Sequence, residues 1–278
     1  MTWEDAVVWL RNQPGQEDLV KFCFYDDPLL DAAIRYHESE EWIAVRELLP
    51  QNRGAVLDIG AGRGISSFAF AKDGWSATAL EPDSSDLVGA GAIRSLVDTS
   101  GTMIEVVQEW GESLPFPDAT FDVVYGRAVF HHADDLDAFC SEAYRVIRPG
   151  GRLILTREHV LTQERDLDAF LESHPLHHLY GGEAAYTLER YLAALEAGGF
   201  QNSKVIGTLS SPVNYFPETR KQVAERLSAS VKKAWHRRYG RFLSRLRPVR
   251  QADVDREARR LEALSNDPGR LYSFVCTR

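Results

Sequence analysis

No stretch of this chain approaches the run of about 18 apolar residues that a membrane-spanning helix needs. The first residues, MTWEDAVVWLRNQPGQED, are acidic and amphipathic, without the basic flank and apolar run of a secretory signal. Cysteine is scarce. Cys23, Cys140 and Cys276 form an odd trio with no C-x-x-C spacing, which points to neither a disulfide framework nor a zinc site. Buried free thiols and a cytoplasmic setting are the expectation. Internal repeats and low-complexity tracts are also missing. The 278 residues are 44% hydrophobic, with a mean hydropathy of −0.30, enough to bury one large core or two small ones.

Charge is uneven along the chain. The net value is −9, yet residues 220–250 carry eleven Lys/Arg against the single acid Glu225. A block so biased is either an interaction surface or a solvated helical face.

Residues 2–49 read as helices, with Thr2 and Asp5 as one capping pair and Ser39 as a second cap. Pro50-Gln-Asn-Arg-Gly54 punctuates before an alternating core. Strands are expected at 55–59, 76–81, 103–108, 121–126 and 151–156, and helices at 64–72, 84–98 and 135–147. Such alternation argues for an α/β fold with a mostly parallel sheet covered on both faces. Beyond Thr156 the pattern loosens into a segment rich in His, Tyr and Gly. A helix from Thr187 to about Ala197, a strand at 201–209, helices at 217–239 and 251–265 and a closing strand at 271–275 follow.

Within the core, Asp58-Ile-Gly60-Ala-Gly62-Arg-Gly64 follows the apolar run Ala55-Val56-Leu57 and precedes a helical pattern from Ile65. Glycines in a strand-to-helix turn let a ligand approach the backbone. The helix start offers unpaired N–H groups. Seventeen residues after Gly64, the next strand ends in Glu81, well placed to accept hydrogen bonds from a ribose diol. A dinucleotide fingerprint reads G-x-G-x-x-G, whereas this turn reads G-x-G-x-G, with Asp58 two residues ahead. An aspartate there suits a ligand carrying an ammonium group better than a pyrophosphate.

With these residues in order, the chain resembles the class I S-adenosylmethionine-dependent methyltransferases, in their small-molecule (type 11-like) branch. The resemblance rests on VLDIGAGRG at 56–64, ALEPD at 79–83, ESLPFPDATFDVVYGRAVFHH at 112–132 and EAYRVIRPGGRLIL at 142–155. It spans about Gly54 to Phe200, roughly half the chain. It implies a Rossmann-like, doubly wound, seven-stranded sheet with an antiparallel last strand. A helical N-terminal cap would cover 1–53, and a methyltransferase domain 54–278, with insertions at about 157–186 and 210–268. It also implies S-adenosylmethionine as cofactor. Asp58, Gly60, Ala61 and Gly62 would line its methionine part and Glu81 and Pro82 its ribose, and Gly126 and Arg127, at the end of the fourth strand, would also bind the cofactor. The family often has Gly-Asp-Ala before Glu-x-Leu-Pro-Phe, where this chain has Glu109-Trp110-Gly111. Either Trp110 stacks on the adenine, beside Gly111, or Glu109 or Glu112 takes over its hydrogen bond.

The acceptor side is expected where strands four and five end. Six of the eight histidines fall within 131–178. His131, His132 and His159 are the candidate proton acceptors, since imidazole titrates near neutrality. One of His131 and His132 is expected to cap the helix that begins near Asp134 or Asp135. His174-x-x-His177-His178, with Glu158 or Glu183, has metal-binding residue types, but the spacing is irregular and no metal site is expected. Tyr25 and Tyr36 are candidates to close over the site, and His177, Tyr180 and Arg237 to bind the acceptor. The expected function is methyl transfer to oxygen or nitrogen of a small or medium acceptor, with an anionic metabolite or sugar suggested by the basic block. One alternative is nucleic-acid methylation through residues 220–250, disfavoured because the chain lacks Asn/Asp-Pro-Pro-Tyr and Pro-Cys motifs. Another is a non-catalytic cofactor-binding partner subunit. Oligomeric state is not legible.

Overall fold

The computed structural model describes residues 1–173, 176–181, 183–215, 217–245 and 247–278, with the side chains of 177 and 241–245 outside that description. Four short helices come first: α1 (Trp3–Arg11), α2 (Glu17–Phe22), α3 (Leu29–His37) and α4 (Glu40–Arg46). Thr2 Oγ1 accepts the Asp5 N–H at 3.1 Å and Asp5 Oδ2 accepts the Thr2 N–H at 3.0 Å. Such a reciprocal cap contributes about 1 kcal/mol. Ser39 Oγ caps α4 by accepting the Trp42 N–H at 3.1 Å.

The core alternates as the hydrophobic pattern requires: β1 (Ala55–Ile59), α5 (Ile65–Lys72), β2 (Ser76–Leu80), α6 (Ala90–Ser100), β3 (Ile104–Val107), β4 (Phe121–Arg127), α7 (Leu136–Val146) and β5 (Ile147–Leu161). After it come α8 (Leu167–Ser173), α9 (His177–Tyr180), β6 (Tyr186–Thr187), α10 (Leu188–Ala197), β7 (Gln201–Ile206), α11 (Arg220–Arg245), α12 (Gln251–Leu264) and β8 (Arg270–Thr277). The sheet order is β3-β2-β1-β4-β5-β8-β7, with β6 pairing with β5. Strand β8 runs antiparallel to both β5 and β7, while the other pairings are parallel. The sheet is thus the expected Rossmann-like one, with the two-residue β6 as an eighth strand.

Strand β7 ends at Ile206 rather than 209 and α11 spans Arg220–Arg245 rather than 217–239, and two further boundaries differ from expectation for a local reason. Helix α6 begins at Ala90 rather than 84, because Asp83 and Ser85 side chains accept the Ser85 and Leu87 N–H groups at 2.8 and 3.0 Å. Such local bonds compete with helix formation. Strand β5 runs past 156 to Leu161 through a register shift against β8 between Leu155 and Glu158, where Arg157 adopts φ 62°. A bulge re-aims the side chains around it.

Both sheet faces are covered, which explains the near-continuous apolar strands. Val56, Tyr125 and Ile154 pack with Tyr36, Trp42, Phe68 and Phe70 on one side. Leu57, Val124 and Leu155 pack with Phe139, Tyr191 and Phe274 on the other. Each such side chain contributes about 1.5–3 kcal/mol by burial. Helices α11 and α12 pair through Val223, Leu227 and Ala258, and α11 kinks at Gly240. Its apolar stripe is buried at Val223, Leu227 and Val231 but has reached solvent by Tyr239, which is 42% exposed. Among the described residues no helix is long and apolar enough to cross a membrane.

Candidate active site

The strand order reverses between β1 and β4, and ligands of open α/β sheets bind beyond the carboxyl ends of the strands at such a point. In register, Ile59 lies beside Leu80 and Gly126, and Gly126 beside Leu155. The segments leaving these four strands therefore open on one crevice, which holds a cavity of about 610 Å³.

One end of the cavity is the glycine turn. Gly60, Ala61 and Gly62 line it, with Pro82 and Glu81 beside them. Gly62 has φ 54°, and a Cβ built there would meet only the Val88 carbonyl, at 3.9 Å. That Cβ would fill room otherwise open to a ligand. Gly60 differs, because its Cβ would lie 2.2 Å from Val129 Cγ2. Glu81 Oε2 accepts the Gly62 N–H at 2.7 Å and its Oε1 accepts the Asp83 N–H at 3.0 Å. Burial raises this carboxyl, against those two bonds. Asp58 lies behind the turn and is not among the lining residues. Its Oδ2 accepts from Ser67 Oγ at 2.6 Å, whereas Oδ1 makes no hydrogen bond to the described residues. Burial pushes the Asp58 carboxyl up to about 7. Gly126 is also outside the lining, since its Cβ would meet Val129 Cγ1 at 2.6 Å and its part is packing. On the far side Trp110, 64% exposed, lines the cavity with Glu109, Gly111 and Glu112.

The N-terminal helices supply a wall that only the fold reveals. Arg63, wedged between two glycines, is buried and donates to the carbonyls of Phe24 and Asp26 at 2.8 and 2.9 Å and to Asp27. It ties the 24–27 loop to the glycine turn. Tyr25 then lines the cavity, and Trp3 packs edge-on against Tyr25 and Tyr180 at 5.7 and 4.5 Å between centroids. Tyr36 does not reach it. This side chain is fully buried on the inner face of α3, with its hydroxyl 3.1 Å from that of Tyr125. Arg127 lines the cavity and pairs with buried Glu41 at 2.7 Å, and Arg157, also in the wall, lies 3.6 Å from the same carboxylate.

The acceptor side gathers the three predicted histidines. His131 and His132 ring centroids are 4.2 Å apart, and His131 and His159 4.8 Å apart. His131 Nδ1 lies 2.7 Å from Glu158 Oε2, which also accepts the His131 N–H at 3.0 Å. Glu158 is fully buried, and that burial raises its carboxyl to about 7. His131 Nε2 faces Glu183 Oε2 at 3.7 Å, and His132 Nε2 faces it at 4.0 Å. His159 Nδ1 donates to the Gly269 carbonyl at 2.9 Å. Neither His131 nor His132 caps α7. Asp135 does so, accepting the Asp137 and Ala138 N–H groups at 3.0 Å. Its short carboxylate sits at the turn, whereas the two histidines occupy a preceding 3₁₀ turn that directs them into the cavity.

Arg237 is exposed on the outer half of α11, and no described α11 residue lines the cavity. Beyond Val231 most described residues of the helix are exposed, and its basic residues lie outside the cavity lining. The side chain of His177 and the whole of His174 lie outside the described residues. Sequence reasoning missed Arg63, Arg157 and Trp3. Arg63 sits inside the glycine motif, but its part follows only from its bonds to the 24–27 loop, and no local motif marks Arg157 or Trp3.

Residues 57–155 match a family model described as a methyltransferase domain. Sarcosine/dimethylglycine N-methyltransferase of Halorhodospira halochloris is 33% identical over 156 residues, covering 54% of this chain and 52% of that protein. The 27-O-demethylrifamycin SV methyltransferase of Amycolatopsis mediterranei is 28% identical over 238 residues, covering 83% and 79%. Among solved structures, phosphoethanolamine N-methyltransferase 2 of Haemonchus contortus, in complex with S-adenosyl-L-methionine, shares the fold with a TM-score of 0.56 at 16% identity, over 96% of this chain and 61% of that one. The chain spans about half the length of the first curated relatives it matches, 45%, 42% and 52%. With the glycine turn and the strand order beside the domain match, residues 57–155 carry a methyltransferase domain, and the chain is similar to the class I S-adenosylmethionine-dependent methyltransferases.

Proposed function

We propose that this chain transfers the methyl group of S-adenosylmethionine to an oxygen or nitrogen of a small acceptor. One observation carries the reading: the open cradle at Gly62 and the histidine cluster line the same cavity. When bound, S-adenosylmethionine supplies an electrophilic methyl group, so the protein need only align the acceptor and receive one proton. In this reading the backbone at 60–62 passes the methionine part, and Asp58 favours its ammonium group from behind the turn. Glu81 accepts from the ribose, Trp110 stacks on the adenine, and Glu112 accepts from its amine. The acceptor lies against His131, His132 and His159 and loses its proton there. Support for an anionic acceptor moves from α11 to the guanidinium groups of Arg127 and Arg157, which line the cavity wall. The unpaired thiols Cys23, Cys140 and Cys276 support a reducing, cytoplasmic setting.

The test is transfer of label from methyl-labelled S-adenosylmethionine into fractionated cell extract. Label in small molecules is expected. Label confined to RNA or DNA would install the nucleic-acid reading, and no label would leave a binding subunit. Replacing His131 or His159 by alanine should lower turnover by ~10²–10⁴-fold while donor affinity stays normal.

A further inference from the structure

We infer that His131, His159 and Glu183 form a binding site for one divalent transition-metal ion at the acceptor end of the cavity. Each of the three offers one ligand atom, and these atoms lie within 4.8 Å of one another. The irregular histidine spacing hid the set, because the fold draws its members from the turn after β4, the outer half of β5 and the loop before β6.

Proximity alone would describe many polar clusters. Here each ligand is also held by its own outer partner. Glu158 takes the Nδ1 side of His131, and the Gly269 carbonyl takes the Nδ1 proton of His159. Tyr180 donates its hydroxyl to Glu183 Oε1. Metal-binding histidines characteristically direct one ring nitrogen to a carboxylate or carbonyl, which fixes the tautomer and leaves the other nitrogen as the donor. His131 Nε2 and Glu183 Oε2 already face each other at 3.7 Å. Donors at about 2.0–2.2 Å from a tetrahedral ion stand roughly 3.3–3.6 Å apart. Side-chain shifts of about 1 Å would therefore close the set around an ion.

The donor chemistry narrows the ion. Two imidazoles and one carboxylate suit Zn²⁺, Co²⁺ or Mn²⁺ better than Mg²⁺ or Ca²⁺, which prefer all-oxygen shells. Three protein ligands leave a coordination position for another group, as in catalytic zinc sites. The cluster lines the cavity, so an acceptor hydroxyl could take that position, where a metal ion lowers its pKa; with His131 and His159 ligating the ion, the proton would pass to His132, which stands beside the ligand Glu183. This role rests on the methyl-transfer reading; the binding of the ion does not.

The experiment uses the full chain, stripped with chelator and titrated with Zn²⁺ by calorimetry and with Co²⁺ by visible absorption. One ion per chain is expected, with a Co²⁺ spectrum of nitrogen and oxygen ligation. His159→Ala and Glu183→Gln should each weaken binding by at least ~100-fold, and Tyr180→Phe by ~10–100-fold, as for loss of an outer partner. Thermal melts of the metal-free variants establish that they are folded, and Tyr180→Phe keeps all three ligands should one of the others unfold. Absence of stoichiometric binding overturns the inference. So does binding of equal strength in His159→Ala and Glu183→Gln, which would assign the ion to another site. S-adenosylmethionine is titrated into the same samples. Metal binding without donor binding would strike the methyl-transfer reading and keep the site. Donor binding without metal binding would do the reverse.

Discussion

Gly62→Ala separates a ligand cradle from a structural turn. The new Cβ would meet nothing nearer than the Val88 carbonyl at 3.9 Å, so no packing penalty arises in the free protein. The cost comes from the backbone, because Gly62 has φ 54° and a Cβ there costs about 1–2 kcal/mol. A chain of this size should then melt roughly 2–8 °C lower. Donor affinity should fall as well, by ~10–100-fold or about 1.4–2.8 kcal/mol, because the methyl occupies the ligand's path. Gly60→Ala is the contrasting variant. Its Cβ would lie 2.2 Å from Val129 Cγ2, so overpacking adds about 1–3 kcal/mol to the backbone cost and the protein should lose more stability than Gly62→Ala. Melting and calorimetry on both variants give the comparison. Gly62→Ala protein that binds S-adenosylmethionine as tightly as the parent would refute the reasoning.

Three further outcomes are expected. Glu81→Ala should weaken donor binding by ~1–3 kcal/mol, partly through the lost brace on the Gly62 N–H, and calorimetry with an unchanged Kd would count against the ribose assignment. Glu41→Ala should destabilise the fold by about 3–5 kcal/mol in denaturant titrations, because it leaves the largely buried Arg127 uncompensated; a midpoint within error of the parent would show that solvent reaches the guanidinium. Burial lifts the Asp58 carboxyl to about 7, so between roughly pH 4 and 7 the folded state holds a proton the unfolded state lacks, and this group's contribution to stability declines across that window and is flat above it. A ligand ammonium favours the charged carboxylate, so donor affinity should rise from pH 6 to 8, and Asp58→Asn should remove that rise.

Much of the fold was legible because its signals are local. Thr2, Ser39 and Thr187 cap helices within three residues of themselves, and the apolar runs at β1, β2, β4 and β5 belong to strands buried on both faces. The glycine turn and Glu81 were readable for the same reason: one strand–turn–helix unit brings them together. The acceptor side was only partly legible. His131 and His132 follow the end of β4 and could be placed by topology, whereas His159 lies within β5, which runs on past the strand end the sequence suggested. Glu183 meets His131 and His132 only through tertiary folding, and Arg157 is turned into the cavity by a bulge that no residue type announces. Tyr36 and Arg237 misled for opposite reasons. The first sits on a helix face that the sheet covers, the second on an exposed stretch of helix outside the cavity lining.

The central claim is a cavity built for S-adenosylmethionine. Titration calorimetry of the purified chain with S-adenosylmethionine, its demethylated product and NAD tests it most directly. The account predicts one site per chain that takes the first two ligands and ignores NAD. Binding of NAD in preference to both, or no binding of S-adenosylmethionine at millimolar concentration, would contradict it.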